Sequence, residues 1–218
     1  MSRAVIFDLD GTLIDSAPDI HAAANRLMDR HGLAPFPPEE TRSFIGSGVP
    51  HFITCCLRAR GEAGNAALRA QMIAEFIELY ETAVTLTRVY PGAAEALTAL
   101  VSGPYALGLC TNKPVIPARA VLAHLGLDAH FPVVIGGDSL TTRKPDPAPL
   151  QAAVAGLGAR DAVFVGDSEV DAETAARAGL PFALYTEGYR KGAVADMPHA
   201  RAFADFADLP GIVAEILS

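Results

Sequence analysis

Acidic and polar side chains follow several short apolar runs of this chain, each at the point where a run ends. Asp8 and Asp10 follow the run at 4–7, and Asp167 follows the run at 162–165. The other residues of this kind are Thr111, Asn112, Lys144, Ser168 and Asp171. Carboxylates that converge repel one another, and a divalent cation relieves that repulsion. Because oxygen ligands favour Mg²⁺, these residue types predict a magnesium site if the fold brings them together.

Each of these motifs has an ordinary structural explanation when it stands alone. An isolated Asp-x-Asp sequence is usually a solvated turn, and Thr111 and Asn112 are common turn residues. Most lysines lie on the surface, and Asp167 with Asp171 would be equally at home at the start of a helix. Their order favours a functional site, because successive motifs follow successive apolar runs.

Five short apolar runs predict strands. They lie at 4–7, 105–110, 132–135, 162–165 and 182–185. They do not alternate between apolar and polar residues, which indicates strands buried on both faces of a sheet. Helices are predicted at 91–102, 114–125, 147–157 and 169–178, with Gly103, Gly126, Gly158 and Gly179 just past their ends as C-cap glycines. This alternation predicts an α/β fold with a parallel sheet, whose carboxyl-terminal strand ends form the binding edge.

The segment from 16 to about 87 interrupts this alternation and contains no clear strand. Ser16, Pro18 and Asp19 predict a helix start with Ser16 as its N-cap. Two apolar helical faces follow. The first consists of Ile20, Ala24, Leu27 and Met28, and the second of Leu68, Met72, Phe76, Leu79 and Tyr80. We therefore expect a helical domain at 16–86, inserted into a core formed by 1–15 and 87–218.

A resemblance to a known superfamily is carried by four sequences. They are Asp8-Leu9-Asp10-Gly11-Thr12, Thr111-Asn112, Lys144-Pro145 and Gly166-Asp167-Ser168 with Asp171 after it. Together they resemble the motifs of the haloacid dehalogenase-like hydrolases. The resemblance spans nearly the whole chain. It implies a Rossmann-like core with a helical cap inserted after the first strand, where the helical segment lies.

The resemblance implies catalytic roles for the motif residues. Asp8 is expected to be the nucleophile that forms an aspartyl-phosphate, because a carboxylate is ionised at neutral pH and needs no activating base. Asp10 is expected to act first as an acid and then as a base. Thr111, the backbone N–H of Asn112 and Lys144 are expected to bind the phosphoryl oxygens.

The resemblance also implies the metal site. Mg²⁺ is expected to be held by Asp8, the backbone carbonyl of Asp10, and Asp167. Asp171, with Ser168 beside it, is expected to orient Lys144 or metal-bound water from outside the set of direct ligands.

A narrower resemblance points to the phosphoglycolate phosphatases. It is carried by 15–19, 44–48, Tyr189-Arg190 and the acidic stretch 204–210. The N–H groups of the loop at 46–48 are predicted to bind the carboxylate of 2-phosphoglycolate. The alternative is that this loop is only a glycine-rich turn between helices. The residues expected to bind substrate are Gly11, Thr12, Arg42, Gly46, Ser47, Gly48 and Asn112.

Other members of the superfamily catalyse other reactions, and the sequence discriminates among some of them. Asp10 argues against a dehalogenase, which does not need that acid–base carboxyl. The segment 16–87 has no lysine, which argues against a phosphonatase with a Schiff-base lysine and weakens a sugar-phosphate mutase. Two alternatives remain open. One is a phosphatase of another small ester, such as a sugar phosphate or pyridoxal phosphate, and the other is a phosphate-sensing receiver-type module.

Composition limits the partners and the location. A formal net charge of −8 disfavours nucleic acid and anionic lipid as partners. No apolar stretch approaches the length of a membrane span, and the acidic residues among the first ten do not suit a signal peptide. The three cysteines, two of them adjacent, do not suggest a disulfide framework. We expect a cytoplasmic monomer or homodimer whose partner is a small phosphorylated metabolite.

Overall fold

A parallel sheet of six strands forms the centre of the computed structural model, which describes residues 3–218. The strands of this sheet are β1 Arg3–Phe7, β4 Tyr105–Cys110, β5 Val133–Ile135, β6 Asp161–Gly166, β7 Phe182–Tyr185 and β8 Arg201–Phe203. They lie in the order β5-β4-β1-β6-β7-β8, and every neighbouring pair is parallel. Two shorter strands, β2 Ile14–Asp15 and β3 Arg88–Val89, pair antiparallel beside it. The predicted Rossmann-like α/β core is confirmed.

Helices cover both faces of the sheet. Their bounds are α1 Ala17–Arg30, α2 Pro38–Ser43, α3 Val49–Ala59, α4 Ala66–Glu81, α5 Ala93–Ser102, α6 Val115–His124, α7 Ala148–Gly156, α8 Glu169–Ala178 and α9 Leu209–Ile216. Val5 and Phe7 of β1 pack into one cluster with α5, α6 and α9, whereas Ala4 and Ile6 pack into another with α7 and α8. Within residues 3–218, no helix is both long enough and apolar enough to cross a membrane.

The structure adds three short strands to the predicted elements and changes one helix end. All five predicted strands are present, but β8 was missed because only Phe203 of its three residues is buried. The pair β2 and β3 was missed because two residues carry no periodic signal. Gly126, Gly158 and Gly179 have the positive φ of C-cap glycines. Gly103 holds the C-cap position of α5 as predicted, but with a φ of −92° and extended backbone rather than a positive φ.

Helices α1 to α4 lie between β2 and β3 in the chain, and α1, α3 and α4 share a hydrophobic cluster that Tyr189 joins from the loop after β7. The cluster includes the buried Met72 and Phe76 of α4. Because β2 and β3 pair with each other, the two connections between these helices and the sheet run side by side. The division into a core of 1–15 and 87–218 and a cap of 16–86 stays a prediction.

The start of α1 differs from the predicted capping arrangement. Ser16 holds the N-cap position, but its hydroxyl donates to Asp10 Oδ1 at 2.6 Å and makes no capping hydrogen bond. Asp19 is buried, and its Oδ2 accepts from the N–H groups of Leu86 and Thr87 at 3.0 and 2.7 Å and from Thr87 Oγ1 at 2.6 Å. The predicted helix start with Ser16 as N-cap is confirmed, but both side chains bond to groups outside the helix, which join α1 to Asp10 and to the returning connection.

Candidate active site

The carboxyl ends of neighbouring strands bring the predicted catalytic residues to one edge of the sheet. Asp8 follows β1, Thr111 follows β4 and Asp167 follows β6, and β1 is paired with both of the other strands. The N–H of Asp8 donates to the carbonyl of Val165 at 2.8 Å, so the strand pattern continues into the site. All three polar side chains are buried. The alternation of apolar runs therefore located this edge correctly.

Lys144 lies between two carboxylates of this edge. Its Nζ is 2.8 Å from Asp8 Oδ1 and 2.7 Å from Asp171 Oδ1. Asp8, Asp167 and Asp171 each place a carboxylate oxygen within 4.8 Å of the others. One buried ammonium therefore faces three carboxylates, and the cluster carries an excess of negative charge in a region where unpaired charge is costly.

Burial and mutual repulsion shift the protonation of this cluster. Burial raises the pKa of Asp8 to about 7, and Lys144 only partly opposes the shift. Burial also raises the pKa of Asp167 well above its usual value, and the charges of Asp171 and Asp8 add to it. For Lys144, burial acts to lower the pKa, but Asp171 and Asp8 outweigh it and hold the pKa above its usual value. The lysine is therefore charged. Asp8 and Asp167 would both be ionised only if a further positive charge lay beside them.

The residues of the cluster fit a divalent cation with oxygen ligands. Asp8 Oδ1 is a buried carboxylate oxygen whose close partner among the described residues is Lys144 Nζ, 2.8 Å away. Such an oxygen is a suitable ligand for a hard cation. Asp8 and Asp167, two of the predicted ligands, lie in the cluster, and Asp171 joins them. The binding of Mg²⁺ by Asp8, the backbone carbonyl of Asp10 and Asp167 stays a prediction.

Two hydrogen bonds fix the carboxylate of Asp167. Thr12 Oγ1 donates to its Oδ1 at 2.7 Å, and the N–H of Tyr189 donates to its Oδ2 at 2.6 Å. Thr12 is 0% exposed and orients Asp167, and its expected role in substrate binding stays a prediction. Gly11 has a φ of +89°, and a Cβ there would lie 2.6 Å from Asp167 Oδ2. The approach of Asp167 therefore explains why this turn needs glycine, and the expected contact of Gly11 with substrate stays a prediction.

Asp171 holds Lys144 and is itself fixed by the start of α8. Its Oδ2 accepts from Ser168 Oγ at 2.6 Å and from the Ser168 N–H at 3.1 Å, while Ser168 Oγ accepts from the Asp171 N–H at 3.4 Å. This is a capping box in which one carboxylate oxygen serves the helix and the other serves Lys144. The helix-start interpretation of this motif and its predicted orienting role are therefore compatible.

Asp10 is surrounded by donors from the inserted helices and from the loop after β4. Ser16 Oγ and Lys113 Nζ donate to its Oδ1 at 2.6 and 3.2 Å, and the Tyr80 hydroxyl donates to its Oδ2 at 3.5 Å. Lys113 Nζ also donates to the Tyr80 hydroxyl. The sequence analysis missed Lys113 as a site residue. Two signals could have found it: it directly follows the Thr-Asn motif, and it is one of only three lysines in the chain.

The glycine-rich loop before α3 contacts the loop after β4 through Asn112. Asn112 Nδ2 donates to the backbone carbonyls of Gly46 and Lys144, both at 3.0 Å. At Gly46 the loop therefore offers a carbonyl acceptor to the core. Gly46, Ser47 and Gly48 all line a cavity at the site. Their predicted contact with a substrate carboxylate stays a prediction, as does the contact of the Asn112 N–H with phosphate.

Arg42 lies away from the linings of the two cavities at the site. Its Nη2 donates to the carbonyl of Gly188 at 3.0 Å, and its Cζ lies 4.7 Å from the centre of the Tyr189 ring. The Tyr189 hydroxyl accepts from the N–H groups of Ser16 and Ala17 at 2.8 and 2.9 Å. Arg42 thus holds the inserted helices against the loop after β7, and its expected role in substrate binding stays a prediction.

Two cavities meet at Asp8 and Asp10. The larger encloses about 470 Å³, its open mouth included. Its lining consists of Asp8, Asp10, Ile20, Phe44, Ile45, Gly46, Gly48, Val49, Phe52, Phe76, Tyr80, Thr111, Asn112 and Lys113. The second encloses about 340 Å³ and also contains Asp167 and Lys191 in its lining. The strand ends and the inserted helices thus enclose a space suited to a small molecule.

The free energy of unfolding of the metal-free protein should fall as the pH rises from about 4 to about 7. The pKa of Asp8 is raised from 3.8 to about 7 in the folded protein. The folded state therefore holds this proton more tightly than the unfolded chain does, and stability is lost as the proton leaves. Urea unfolding in excess chelator at several pH values measures the slope. Asp8→Asn should make the slope shallower, and identical slopes in the two proteins would contradict the assignment.

Comparisons with known proteins agree with this geometry. The chain matches a family model described as haloacid dehalogenase-like hydrolase over residues 5–185. A phosphoglycolate phosphatase of Cereibacter sphaeroides is 50% identical over 215 residues, which cover 98% of this chain and 99% of the relative. A phosphoglycolate phosphatase of Rhodobacter capsulatus is 48% identical over 213 residues, which cover 98% of this chain and 97% of the relative.

A solved structure extends the likeness to three dimensions. It is the crystal structure of a predicted phosphoglycolate phosphatase from Haemophilus somnus, with a TM-score of 0.87 and 29% sequence identity over 96% of each chain. The sequence and structural comparisons therefore cover both the sheet and the inserted helices. The chain belongs to the haloacid dehalogenase-like hydrolase family and, within it, to the branch of phosphoglycolate phosphatase-like enzymes.

Proposed function

We propose that this chain is a magnesium-dependent phosphatase that converts 2-phosphoglycolate to glycolate and inorganic phosphate through an aspartyl-phosphate on Asp8. The observation that carries the proposal is the position of Lys144, buried between Asp8 and Asp171 at 2.8 and 2.7 Å. A phosphoryl group bound over Asp8 would meet a nucleophile and a fixed positive charge together. Membership of the family and the named relatives support the class, a phosphoric monoester hydrolase.

In the first step, a carboxylate oxygen of Asp8 attacks phosphorus in line with the ester oxygen. A bond forms between this oxygen and phosphorus while the phosphorus–ester bond breaks, and the electron pair of that bond passes to the leaving oxygen. Asp10 donates a proton to that oxygen, which therefore leaves as the neutral hydroxyl group of glycolate. Ser16, Lys113 and Tyr80 hold the Asp10 carboxyl in place, which supports this role.

In the second step, water attacks the phosphorus of the aspartyl-phosphate. Asp10 now takes a proton from the water, the bond between phosphorus and Asp8 breaks, and inorganic phosphate leaves. The same carboxyl acts as acid and then as base, so each turnover returns Asp10 to its starting protonation state. The two steps need no nucleophile other than Asp8 and water.

The fixed charges of the site favour the transferring phosphoryl group over the free ester. When bound, Mg²⁺ would supply positive charge that neutralises the phosphoryl oxygens and the carboxylates together. Asp8 and Asp167, with the backbone carbonyl of Asp10, would hold it. Lys144 holds a second positive charge at a fixed point, and Thr111, buried at the end of β4, would donate a hydrogen bond to a phosphoryl oxygen.

The size and lining of the larger cavity support a small substrate. Apolar side chains of the inserted helices, among them Ile20, Phe52 and Phe76, line it and exclude water around the reacting group. Phosphatases of sugar phosphates or pyridoxal phosphate are the remaining alternatives. Because the chain belongs to a hydrolase family, we set aside the alternative of a receiver-type module. A cytoplasmic location and a monomeric or homodimeric state stay predictions.

A substrate panel should give the highest kcat/KM for 2-phosphoglycolate. The panel holds 2-phosphoglycolate beside a dozen other metabolite phosphates, including sugar phosphates and pyridoxal phosphate, and released inorganic phosphate is measured at saturating Mg²⁺. The expected margin over neutral esters is about 100-fold, the size of discrimination that one charged group in a buried site provides. A higher kcat/KM for a sugar phosphate or for pyridoxal phosphate would replace the proposed substrate.

A further inference from the structure

Lys113 is the cationic side chain among the described residues that line the larger cavity. It follows Thr111 and Asn112 directly, so its backbone is fixed by the end of β4. The side chain is buried, and the residue is 5% exposed. The walls around it are otherwise largely apolar, and they include Ile20, Val49 and Phe76. A buried ammonium in such surroundings is costly unless it has anionic or polar partners.

The partners of Lys113 leave room for a ligand. An ammonium group has three N–H donors. Among residues 3–218, Lys113 Nζ donates to Asp10 Oδ1 at 3.2 Å and to the hydroxyl of Tyr80. Its Nζ also lies 3.7 Å from the centre of the Tyr80 ring. Two donors are therefore used within the protein, and the third can serve a molecule in the cavity.

Two other cations near the site, Lys144 and Arg42, have partners of their own, and Lys191 lines the second cavity rather than the larger one. Lys144 pairs with Asp8 and Asp171 and serves the phosphoryl end of the site. Arg42 donates to the carbonyl of Gly188 and lies outside the cavity linings. A second anionic group of the substrate therefore has one charged partner available in the larger cavity, and that partner is Lys113.

We propose that Lys113 recognises the carboxylate of the substrate and thereby selects phosphorylated 2-hydroxy acids over neutral phosphate esters of the same size. The inference rests on the proposed function and names a specificity-determining residue for it. 2-Phosphoglycolate carries its carboxylate one methylene away from the ester oxygen. Asp10, the proposed proton donor to that oxygen, is the residue beside Lys113. The groups that would recognise two neighbouring parts of the substrate are thus neighbours in the protein.

Burial explains why this contact discriminates. A carboxylate that enters the apolar cavity loses water and regains a charge-assisted hydrogen bond from Lys113. If a neutral hydroxymethyl group replaces the carboxylate, Lys113 makes a weaker hydrogen bond to the substrate. A site built to bond one polar group rejects analogues that lack it far more strongly than an apolar pocket rejects a missing methylene. Lys113 therefore determines which substrate is preferred, whereas Lys144 contributes to the hydrolysis of every phosphate ester.

The test compares Lys113→Met with the wild type on two esters of equal length. One is 2-phosphoglycolate, and the other is 2-hydroxyethyl phosphate, in which CH₂OH replaces the carboxylate. Loss of the ammonium should lower kcat/KM for 2-phosphoglycolate about 100-fold more than it lowers kcat/KM for 2-hydroxyethyl phosphate, because the lost support for Asp10 affects both esters alike. Equal losses on both esters would overturn the inference, because Lys113 would then only support Asp10. An unchanged preference for 2-phosphoglycolate would overturn it as well.

Tyr80→Phe is the matched control, because it removes a partner of Lys113 and keeps the ammonium. The ratio of the two kcat/KM values should stay within about threefold of the wild-type ratio. If Lys113→Met fails to fold, Lys113→Gln replaces it. Calorimetric titration of the wild type with glycolate and with ethylene glycol adds a readout without turnover, and only glycolate should bind. Equal binding of the two alcohols would overturn the inference.

The same data separate this inference from the proposed function. If the wild type prefers 2-phosphoglycolate and Lys113→Met keeps that preference, the function stands and the role of Lys113 is wrong. If the wild type shows no preference between the two esters, both the proposed substrate and the role of Lys113 are wrong.

Discussion

Asp8→Asn should reduce kcat for 2-phosphoglycolate at least about 10⁴-fold and leave the protein folded, because a neutral amide cannot form the acyl-phosphate. Asp8 is the predicted nucleophile and follows β1 at the centre of the sheet edge. The substitution keeps the shape of the side chain and removes a carboxylate whose pKa burial raises to about 7. Removing a charge that the fold does not favour should not destabilise the metal-free protein. Steady-state kinetics and urea unfolding measure the two effects.

Asp161→Asn is the control for this substitution. Asp161 begins β6, at the opposite end of the strand from the site, and its side chain is exposed. The same chemical change there should leave kcat within about twofold of the wild type, since exposed substitutions away from special features have small effects. A wild-type rate in Asp8→Asn would contradict the covalent mechanism. Unfolding of Asp8→Asn would show instead that the carboxylate is a structural requirement.

Removal of divalent cations should abolish turnover, and added Mg²⁺ should restore it. Asp8, Asp167 and Asp171 crowd their carboxylate oxygens within 4.8 Å, and Lys144 supplies one positive charge to them. Without a cation the cluster also repels the phosphoryl group, so the loss should reach at least about 10³-fold, as expected when a main source of charge stabilisation is removed. Dialysis against chelator followed by Mg²⁺ titration measures the effect.

Binding of Mg²⁺ should also be visible without substrate. A cation that binds only the folded state stabilises the wild type by about 2.7 kcal/mol at 100 times its Kd. Asp167→Asn should lose most of this stabilisation, because it removes a predicted ligand that Thr12 and Tyr189 hold in place. Thr41→Val, in the buried part of α2, serves as a control outside the cluster and should keep the stabilisation. Full activity in excess chelator would contradict the metal site.

The strands and their polar ends could be predicted because both signals are local. A strand buried on both faces appears in the sequence as a continuous apolar run, and it ends where polar residues begin. The positions of Asp8, Thr111 and Asp167 at strand ends could therefore be predicted from the sequence. The parallel pairing of β1 with β4 and β6 then brings these ends together without any further information. The capping box of Ser168 and Asp171 is also a short-range feature.

Contacts between distant segments could not be predicted from the sequence. Lys113 meets Tyr80 only because α4 lies over the end of β4, and no local pattern fixes that packing. Arg42 contacts the ring of Tyr189 and the carbonyl of Gly188, which lie far along the chain. Ser16 holds the N-cap position of α1, but its hydroxyl donates to Asp10 instead of capping the helix. Specificity at this site therefore depends on tertiary contacts, whereas the catalytic motifs are set by strand ends.

The most direct test is to trap the phosphorylated enzyme. Wild-type protein is mixed with phosphorus-labelled 2-phosphoglycolate and Mg²⁺, quenched in acid within one turnover, digested and mapped by mass spectrometry. The label should lie on the peptide that contains Asp8, should appear before free phosphate and should be absent from Asp8→Asn. Release of free phosphate with no labelled protein at any time, or a label on another residue, would contradict the account.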